Sequence, residues 1–240
     1  MDPRVKPGHD DFVSGEFVSV EPMNDHSLHI ALRRAAILCL VAGFVDAYGY
    51  MALEHVFTAN MTGNTVLLGI AAAERDGGRV ATYGATLIAF FGGALLASLV
   101  IRRFGKRPLV LLAVALLLGG TPLLSLEQHR ELLLLTFGMG MQGSTLSRFG
   151  NTNLNTVVVT GTMLRLADEI TAKLLSAVEG EAKPPPGAIA IPLAGWLIYG
   201  VGAALGALFL GILAYPLLAP AALLLVVAAD VARSEMVSRA

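Results

Sequence analysis

The chain has 240 residues, a formal net charge of −1, 55% apolar residues and only 15% charged ones. Soluble domains carry about 25% charged residues, so this composition argues against a soluble enzyme or binding module. The near-neutral charge gives no electrostatic footprint for nucleic acid, and none is expected as a partner. A single cysteine, Cys39, offers neither a disulfide framework nor a cysteine metal site.

The N-terminal part differs in composition from the rest. Residues 1–30 are polar and mixed in charge, without the apolar core of a secretory signal, and they predict a disordered extension. Met23 offers a second start site, so the presence of residues 1–22 in the mature protein stays open. We expect residues 31–230 to form one transmembrane domain and residues 231–240 to form a cytoplasmic tail.

Apolar segments of membrane-spanning length dominate the remaining sequence. About 20 apolar residues cross the hydrocarbon core as a helix, and six segments meet or approach that length: Ala35–Leu53, Ala81–Ile101, Pro108–Leu126, Leu132–Ser147, Ile189–Leu213 and Tyr215–Ala229. Two further segments, Phe57–Ala73 and Asn155–Leu175, are apolar over part of their length and contain a Thr-Gly step. Periodicity alone does not decide whether these two cross the membrane or re-enter it.

Basic residues indicate the topology, because Lys and Arg near membrane ends favour the cytoplasm. Two clusters flank the first two long segments: Arg33 and Arg34, then Arg102, Arg103, Lys106 and Arg107. Both lie inside only if an even number of crossings separates them. The sequence therefore predicts an all-α polytopic bundle of about six crossings plus two short or re-entrant Thr-Gly segments, with both termini cytoplasmic in a bacterial inner membrane. Seven or eight crossings remain open.

The two halves of the sequence resemble each other in order. A Gly-rich helix, AGFVDAYGY (42–50), matches GMGMQGSTL (138–146), and NMTGNTVLLG (60–69) matches VVVTGTMLRL (157–166). Likewise AFFGGALLASL (89–99) matches IYGVGAALGAL (198–208), and PLVLLAVALLL (108–118) matches PLLAPAALLLV (216–226). We interpret residues 35–126 and 131–229 as tandem repeats. Three crossings per half would invert the second repeat, as in secondary transporters. The alternative is a duplication that only enlarged the bundle.

Asp46 is the sharpest candidate for a functional side chain. It lies about 11 residues into the first predicted span, or about 16 Å deep at 1.5 Å per residue. An ionisable group at that depth is costly and is by default a functional candidate, with a proton or solute as its partner. The alternative is a structural carboxyl that is hydrogen-bonded to a neighbouring helix.

The Thr-Gly segments supply the other candidate substrate-binding residues. In the first half these are Asn60, Thr62, Gly63 and Asn64, and in the second half Gln142, Thr160, Gly161 and Thr162. Irregular backbone at membrane depth is tolerated where it lines a cavity, so its amides can bind a solute. The alternative is an ordinary helix start with Asn60 or Thr62 as N-cap. One carboxyl and one amide, from Asp46 and Gln142, favour an uncharged or cationic solute.

Other patterns indicate packing and not chemistry. Small residues recur every four positions at Ala85, Ala89, Gly93 and Ala97, and again at Ala203, Ala207 and Gly211. Such faces pack helices closely, within one chain or in a homo-oligomer. The sequence has no HExxH, GxSxG or Walker motif, and its five histidines lie in the tail or at predicted membrane edges. We therefore expect no enzyme activity, no catalytic residue, no cofactor and no metal.

The motifs AGFVDAYGY and FTANMTGNTVLLG, with the later GMQGSTLSRFG and TVVVTGT, resemble the signature of the YoaK-like family of bacterial integral membrane proteins. The resemblance covers most of residues 35–230 and implies a small multi-spanning protein. It carries over to Gly43, Asp46, Asn60, Thr62, Gly63, Asn64, Gln142, Thr160 and Gly161. Gly143 departs from the pattern, since a more polar residue is expected after Gln142, which puts a second-half site in doubt.

Two functions are compatible with these features. The first is a small-solute permease or channel whose central path lies near Asp46 and the two Thr-Gly segments. The second is a non-transporting membrane scaffold or partner-binding subunit whose polar residues only stabilise helix packing. A dry, hydrogen-bonded Asp46 favours the scaffold, and a water-accessible cavity at Asp46 favours the permease.

Overall fold

The computed structural model describes residues 25–124, 126–146, 159–179 and 189–237. Within these ranges the structure has eight α-helices and no strand: α1 Asp25–Ala52, α2 Met61–Ala73, α3 Gly77–Phe104, α4 Arg107–Gly120, α5 Gln128–Leu146, α6 Val159–Glu179, α7 Ala190–Ile212 and α8 Leu218–Val237. The predicted all-α class is confirmed. The helix α1 begins inside the predicted extension, whose residues 1–24 lie outside the described ranges.

Local sequence explains where the first helices begin and end. The Asn60 side chain accepts the Gly63 amide at the start of α2, and the Asp76 side chain accepts the Arg79 amide at the start of α3. Hydrogen bonds from Arg79 also lower the pKa of the Asp76 carboxyl. Gly105 ends α3 in the left-handed conformation, with φ of 64°, which glycine adopts without steric cost.

Two of the described helices are long and apolar enough to cross a membrane by length and composition. They are α3 and the Leu193–Ile212 part of α7. Met61–Ala73 and Arg107–Leu123 are apolar but shorter. The remaining helices carry more polar or charged residues, so composition within the described chain does not establish six crossings.

Side-chain contacts fix the relative directions of the helices. Along α1 and α5, Leu38 is bonded to Gln142, Tyr48 to Glu131, and Ala52 to Gln128, so the two helices are antiparallel. The helices α4 and α8 are also antiparallel. Gly119, near the end of α4, faces Leu218 and Ala221 near the start of α8. Pro108, near the start of α4, shares a cavity with Met236, near the end of α8.

The pair α1 and α7 is parallel and in direct backbone contact. A Cβ added at Gly202 would overlap the backbone of Leu40, and one added at Gly206 would overlap the backbone of Phe44. A Cβ at Gly43 would overlap the carbonyl of Tyr199. The packing face of α7 is therefore formed by Gly202 and Gly206. It is shifted by one position from the predicted Ala203, Ala207 and Gly211, of which Gly211 has open space beside it.

The pair α3 and α5 repeats this contact. A Cβ at Gly93 would overlap the carbonyl of Phe137, and one at Gly140 would overlap the carbonyl of Phe90. Gly93 and Ala97 of the predicted small-residue face are buried. Gly93 therefore packs α3 against α5 within the chain, and a homo-oligomer through small-residue faces stays a prediction.

Basic residues gather at one end of the bundle. Arg33 and Arg34, near the start of α1, bond to Asp230 near the end of α8. Lys106, between α3 and α4, lines a cavity together with Met236 of α8. The opposite end carries acidic side chains, where Glu131 accepts the Tyr48 hydroxyl at 2.7 Å and Glu54 lies 3.6 Å from His129.

We expect Gly140→Ala to lower the stability of the chain and Gly200→Ala to leave it unchanged or raise it. The methyl group at Gly140 must push α5 away from α3, and such overpacking costs about 1–3 kcal/mol. Gly200 has open space beside it in the same kind of helix, so the alanine there is neutral or stabilising by up to about 1 kcal/mol. Thermal unfolding of the purified chain in detergent measures both, and equal melting temperatures would contradict the contact.

Candidate functional site

The carboxyl of Asp46 is buried in α1, with 2% of the residue exposed, and accepts four hydrogen bonds. Its Oδ1 accepts the Ala59 amide at 2.5 Å, the Thr58 hydroxyl at 3.2 Å and the Asn60 amide at 3.3 Å. Its Oδ2 accepts the hydroxyl of Tyr199 from α7. Asp46 therefore joins α1 to two separate parts of the chain.

The segment from 53 to 60 turns back along α1 to reach Asp46. Asp46 lies six residues before the end of α1 at Ala52, which is about 9 Å along the helix axis. The reversal takes place at Glu54 and His55, whose φ angles of 52° and 55° place both in the left-handed region. The helix α2 then starts at Met61, next to the Asp46 carboxyl.

Asn64 fixes the returning segment from the other side. The residue is fully buried, its Nδ2 donates to the Phe57 carbonyl at 2.6 Å, and its Oδ1 accepts the Phe57 amide at 3.0 Å. A Cβ at Gly63 would lie 3.0 Å from the Phe57 ring, so the absence of a side chain there lets the segment pack closely. Asn64 satisfies both polar groups of one backbone residue, which a buried irregular segment requires.

Part of the first Thr-Gly segment is therefore an ordinary helix start. Asn60 is the N-cap of α2, as one of the two interpretations predicts. The side chain of Thr62 is exposed and does not face Asp46. Asp46, Asn60 and Asn64 are brought together, with Gly63 beside them, whereas Thr62 is not part of the cluster.

The second-half candidates do not form a matching cluster. Gln142 is buried in α5 and donates through Nε2 to the Leu38 carbonyl at 2.9 Å, while its Oε1 has no hydrogen-bond partner among the described residues. Gly161 lies half-buried in α6, a helix that contacts α7 alone among the described helices. The side chains of Thr160 and Thr162 lie outside the described residues. Gln142 and Gly161 are therefore on helices that do not meet.

Two glycines make the same kind of contact in two different helix pairs. Gly43 packs on Tyr199, and Gly140 packs in the same way on Phe90. Three residues after these glycines stand Asp46 and Gly143, whereas the comparison of the two halves placed Gln142 opposite Asp46. A Cβ at Gly143 would lie 3.7 Å from the Phe90 ring. Near the Gly43 contact Asp46 is thus bonded to Tyr199, and near the Gly140 contact Gly143 lies beside Phe90.

Sequence reasoning missed Tyr199 and Thr58 as partners of Asp46. The alignment of AFFGGALLASL with IYGVGAALGAL already places Tyr199 opposite Phe90, and this polar difference was the available signal. The Thr58 hydroxyl and the Ala59 amide reach Asp46 because of the conformation of the loop, which no sequence pattern predicts. Among the described residues, no group of three or more His, Cys, Asp and Glu side chains is placed to hold a metal ion.

We expect Asp46→Ala to lower stability more than Tyr199→Phe. The alanine leaves the buried amides of Ala59 and Asn60 without an acceptor, at about 1–3 kcal/mol each, whereas the phenylalanine removes one of four donors. In the Asp46→Ala background, Tyr199→Phe should add little further loss, because the two changes share one hydrogen bond. Thermal unfolding of the four proteins in detergent provides this cycle, and additive losses would contradict the bond.

Comparison with known proteins identifies the family. The chain is 34% identical over 157 residues to the UPF0700 transmembrane protein YoaK of Bacillus subtilis (strain 168), covering 58% of this chain and 67% of that protein. No solved structure matches. The resemblance to the YoaK-like family is confirmed. The family model described as protein of unknown function (DUF1275) matches residues 34–229, and the chain belongs to that family.

Proposed function

We propose that the chain is a small-solute permease of the bacterial inner membrane, built from two inverted repeats and closed at one face by the bonds of Asp46. The observation that carries the proposal is the pairing of helix contacts. The contact of α1 with α7 through Gly43 and Tyr199 corresponds to that of α5 with α3 through Gly140 and Phe90. The relative named for its transmembrane character supports placing these helices in a membrane.

Helix directions support inversion and six crossings. The first half begins with α1 and ends with α4, and the second half begins with α5 and ends with α8. The helices α1 and α5 are antiparallel, and so are α4 and α8. If α2 and α6 both crossed, α1 and α5 would be parallel. If only one of them crossed, the observed parallel arrangement of α1 and α7 would not result. Six crossings with two non-crossing segments, α2 and α6, satisfy every observed direction.

The helix α2 has the geometry of a re-entrant segment. Its 13 residues rise about 20 Å, less than the roughly 30 Å of the hydrocarbon core. It starts at the depth of Asp46 and is followed by the charged residues Glu74, Arg75 and Asp76, after which α3 begins. The other end of α3 lies at the basic end of the bundle. The chain thus enters and leaves at the same face. The basic end is cytoplasmic under the positive-inside rule, and so are both termini.

Two buried polar groups support a solute path. Gln142 Oε1 is a buried acceptor without a partner in the part of the chain that the structure describes, and leaving such a group unpaired costs about 1–3 kcal/mol. It lies level with Leu38, eight residues or about 12 Å along α1 from Asp46. A solute carrying hydrogen-bond donors would satisfy Gln142. The pair of a carboxyl and an amide favours an uncharged or cationic solute.

The scaffold function is favoured by a different observation. Every donor around Asp46 is already paired, and neither of the two cavities described at the basic end is lined by Asp46. In a scaffold the hydrogen bonds around Asp46 are permanent. In a permease they belong to the closed state and must break, because transporters alternate access around a central site.

Cysteine labelling tests the six-crossing topology. In a Cys39→Ala background, we expect Gly77→Cys to react with a membrane-impermeant maleimide from the periplasmic side and Arg103→Cys from the cytoplasmic side. Gly77 has open space beside it and Arg103 is exposed, so both thiols are accessible. The reverse result, with Gly77→Cys labelled from the cytoplasmic side and Arg103→Cys from the periplasmic side, would mean that α2 crosses the membrane.

Solute flux separates the permease from the scaffold. We expect proteoliposomes of the wild-type chain to admit small neutral polyols, urea or ammonium faster than empty liposomes in stopped-flow light scattering. Asp46→Asn keeps one oxygen for Ala59 and Asn60 and can donate to Tyr199, so it should remain folded. It should change the flux by about tenfold, which corresponds to about 1.4 kcal/mol. Gln142→Leu should reduce the flux as well.

The control is Thr65→Val, which removes an exposed hydroxyl bonded only to the Met61 carbonyl of its own helix. It should leave both flux and melting temperature unchanged. Wild-type liposomes that admit none of the solutes, together with an Asp46→Asn variant that only loses thermal stability, would overturn the permease and support the scaffold.

A further inference from the structure

A cavity of about 430 Å³ opens between the basic ends of α1 and α8. Three guanidinium groups line it, from Arg33, Arg34 and Arg233, together with the carboxyl of Asp230. Three positive charges therefore face one negative charge, and the pocket keeps two positive charges in excess. Such an excess at the edge of a membrane bundle attracts anions.

The three arginines have different roles. Arg34 is buried and fixed, since its Nε donates to Asp230 Oδ2 at 2.7 Å and its Nη2 donates to the Asp230 carbonyl at 3.0 Å and to Ser234 Oγ at 2.5 Å. The bond and charge of the Arg34 guanidinium, and those of Arg33, lower the pKa of the Asp230 carboxyl. Arg33 donates once to Asp230, and its side chain is 63% exposed. Arg233 is also exposed.

Arg34 and Asp230 thus hold α1 against α8, while Arg33 and Arg233 present guanidinium groups at the mouth of the pocket. A guanidinium has five donors in a planar fork that matches the oxygens of a phosphate. Among the described residues Arg33 donates only to Asp230, which leaves most of its donors available for such a ligand.

The walls below the arginines are apolar. Ile37, Val226 and Val227 line the same cavity. On the other side of α8 a groove of about 580 Å³ runs between α4 and α8, shares Ala229 with the first cavity, and is lined mainly by apolar side chains such as Leu109 and Leu225. A charged mouth above apolar walls fits a ligand that has an anionic head and a hydrocarbon tail.

We propose that this arginine pocket, formed by Arg33, Arg34, Asp230 and Arg233, binds the phosphate of an anionic phospholipid. Basic pockets between transmembrane helices on the cytoplasmic side are suited to anionic headgroups. The excess of two positive charges matches a headgroup with one or two phosphodiesters. The lipid would bridge α1 and α8 and add to the contact that Arg34 makes within the chain. The proposal does not depend on solute transport.

Lipid titration of the full-length chain in detergent tests the pocket. Phosphatidylglycerol is titrated against the wild-type chain and the Arg33→Gln/Arg233→Gln variant, with binding followed by native mass spectrometry and by thermal shift. We expect binding to weaken about 30-fold, since each basic residue contributes about fivefold near anionic lipid. The matched control is Arg102→Gln/Arg103→Gln, which removes the same charge from the end of α3 and should leave the affinity unchanged.

Three results would overturn the proposal. Equal weakening in both double variants would indicate general charge attraction and not a pocket. Equal binding of phosphatidylcholine, which has a phosphate but no net charge, would remove the requirement for an anionic headgroup. Inorganic phosphate that stabilises the chain as well as phosphatidylglycerol does, and competes with it, would assign the pocket to a free anion. Preference for phosphatidylglycerol that is lost only in Arg33→Gln/Arg233→Gln supports it.

Discussion

Close backbone contact between helices is the constraint on which the rest of the structure depends. In lipid, helices gain little from hydrophobic burial against one another, so small residues that allow van der Waals contact decide which helices pair. Gly43 and Gly202 bring α1 against α7, and the carbonyl of Tyr199 rests on Gly43. The Tyr199 hydroxyl thereby reaches Asp46, one turn further along α1. A larger residue at 43 would separate the two groups.

The architecture could be predicted from the sequence to a useful degree. Apolar length located each of the eight described helices, because about 20 apolar residues are needed to cross the hydrocarbon core. It did not locate every end: α1 begins at Asp25 and not at Ala35, and α8 ends at Val237 and not at Ala229. The predicted end of α2 at Ala73 is confirmed, but the helix begins at Met61 and not at Phe57. There, residues 57 to 60 are held in an irregular path by the side chains of Asp46 and Asn64, which is a tertiary effect.

Asp46 was identifiable as unusual because an acid inside an apolar run has few explanations. Its partners were not identifiable. Two are backbone amides of a loop, and Tyr199 lies 153 positions away. Gln142 was chosen as its counterpart from sequence similarity, which does not fix register in low-complexity helices, whereas a glycine in contact with a carbonyl does. That contact points to Gly143, the residue that already departed from the family pattern.

The apolar pair of Gly143 and Phe90 has a consequence for the balance between conformational states. Under the proposed function, the two faces of an inverted repeat open in turn, and a symmetric protein would populate both states equally. Here one face is closed by hydrogen bonds to the Asp46 carboxyl, and a bond to a charged group contributes about 1.5–3 kcal/mol. The other face has only the Phe90 ring beside Gly143. One such bond is enough to reduce the opposite state to between about 10% and 1% of the population. The resting protein would then face the cytoplasm, and the solute would have to supply the free energy that exposes Asp46 to the outside.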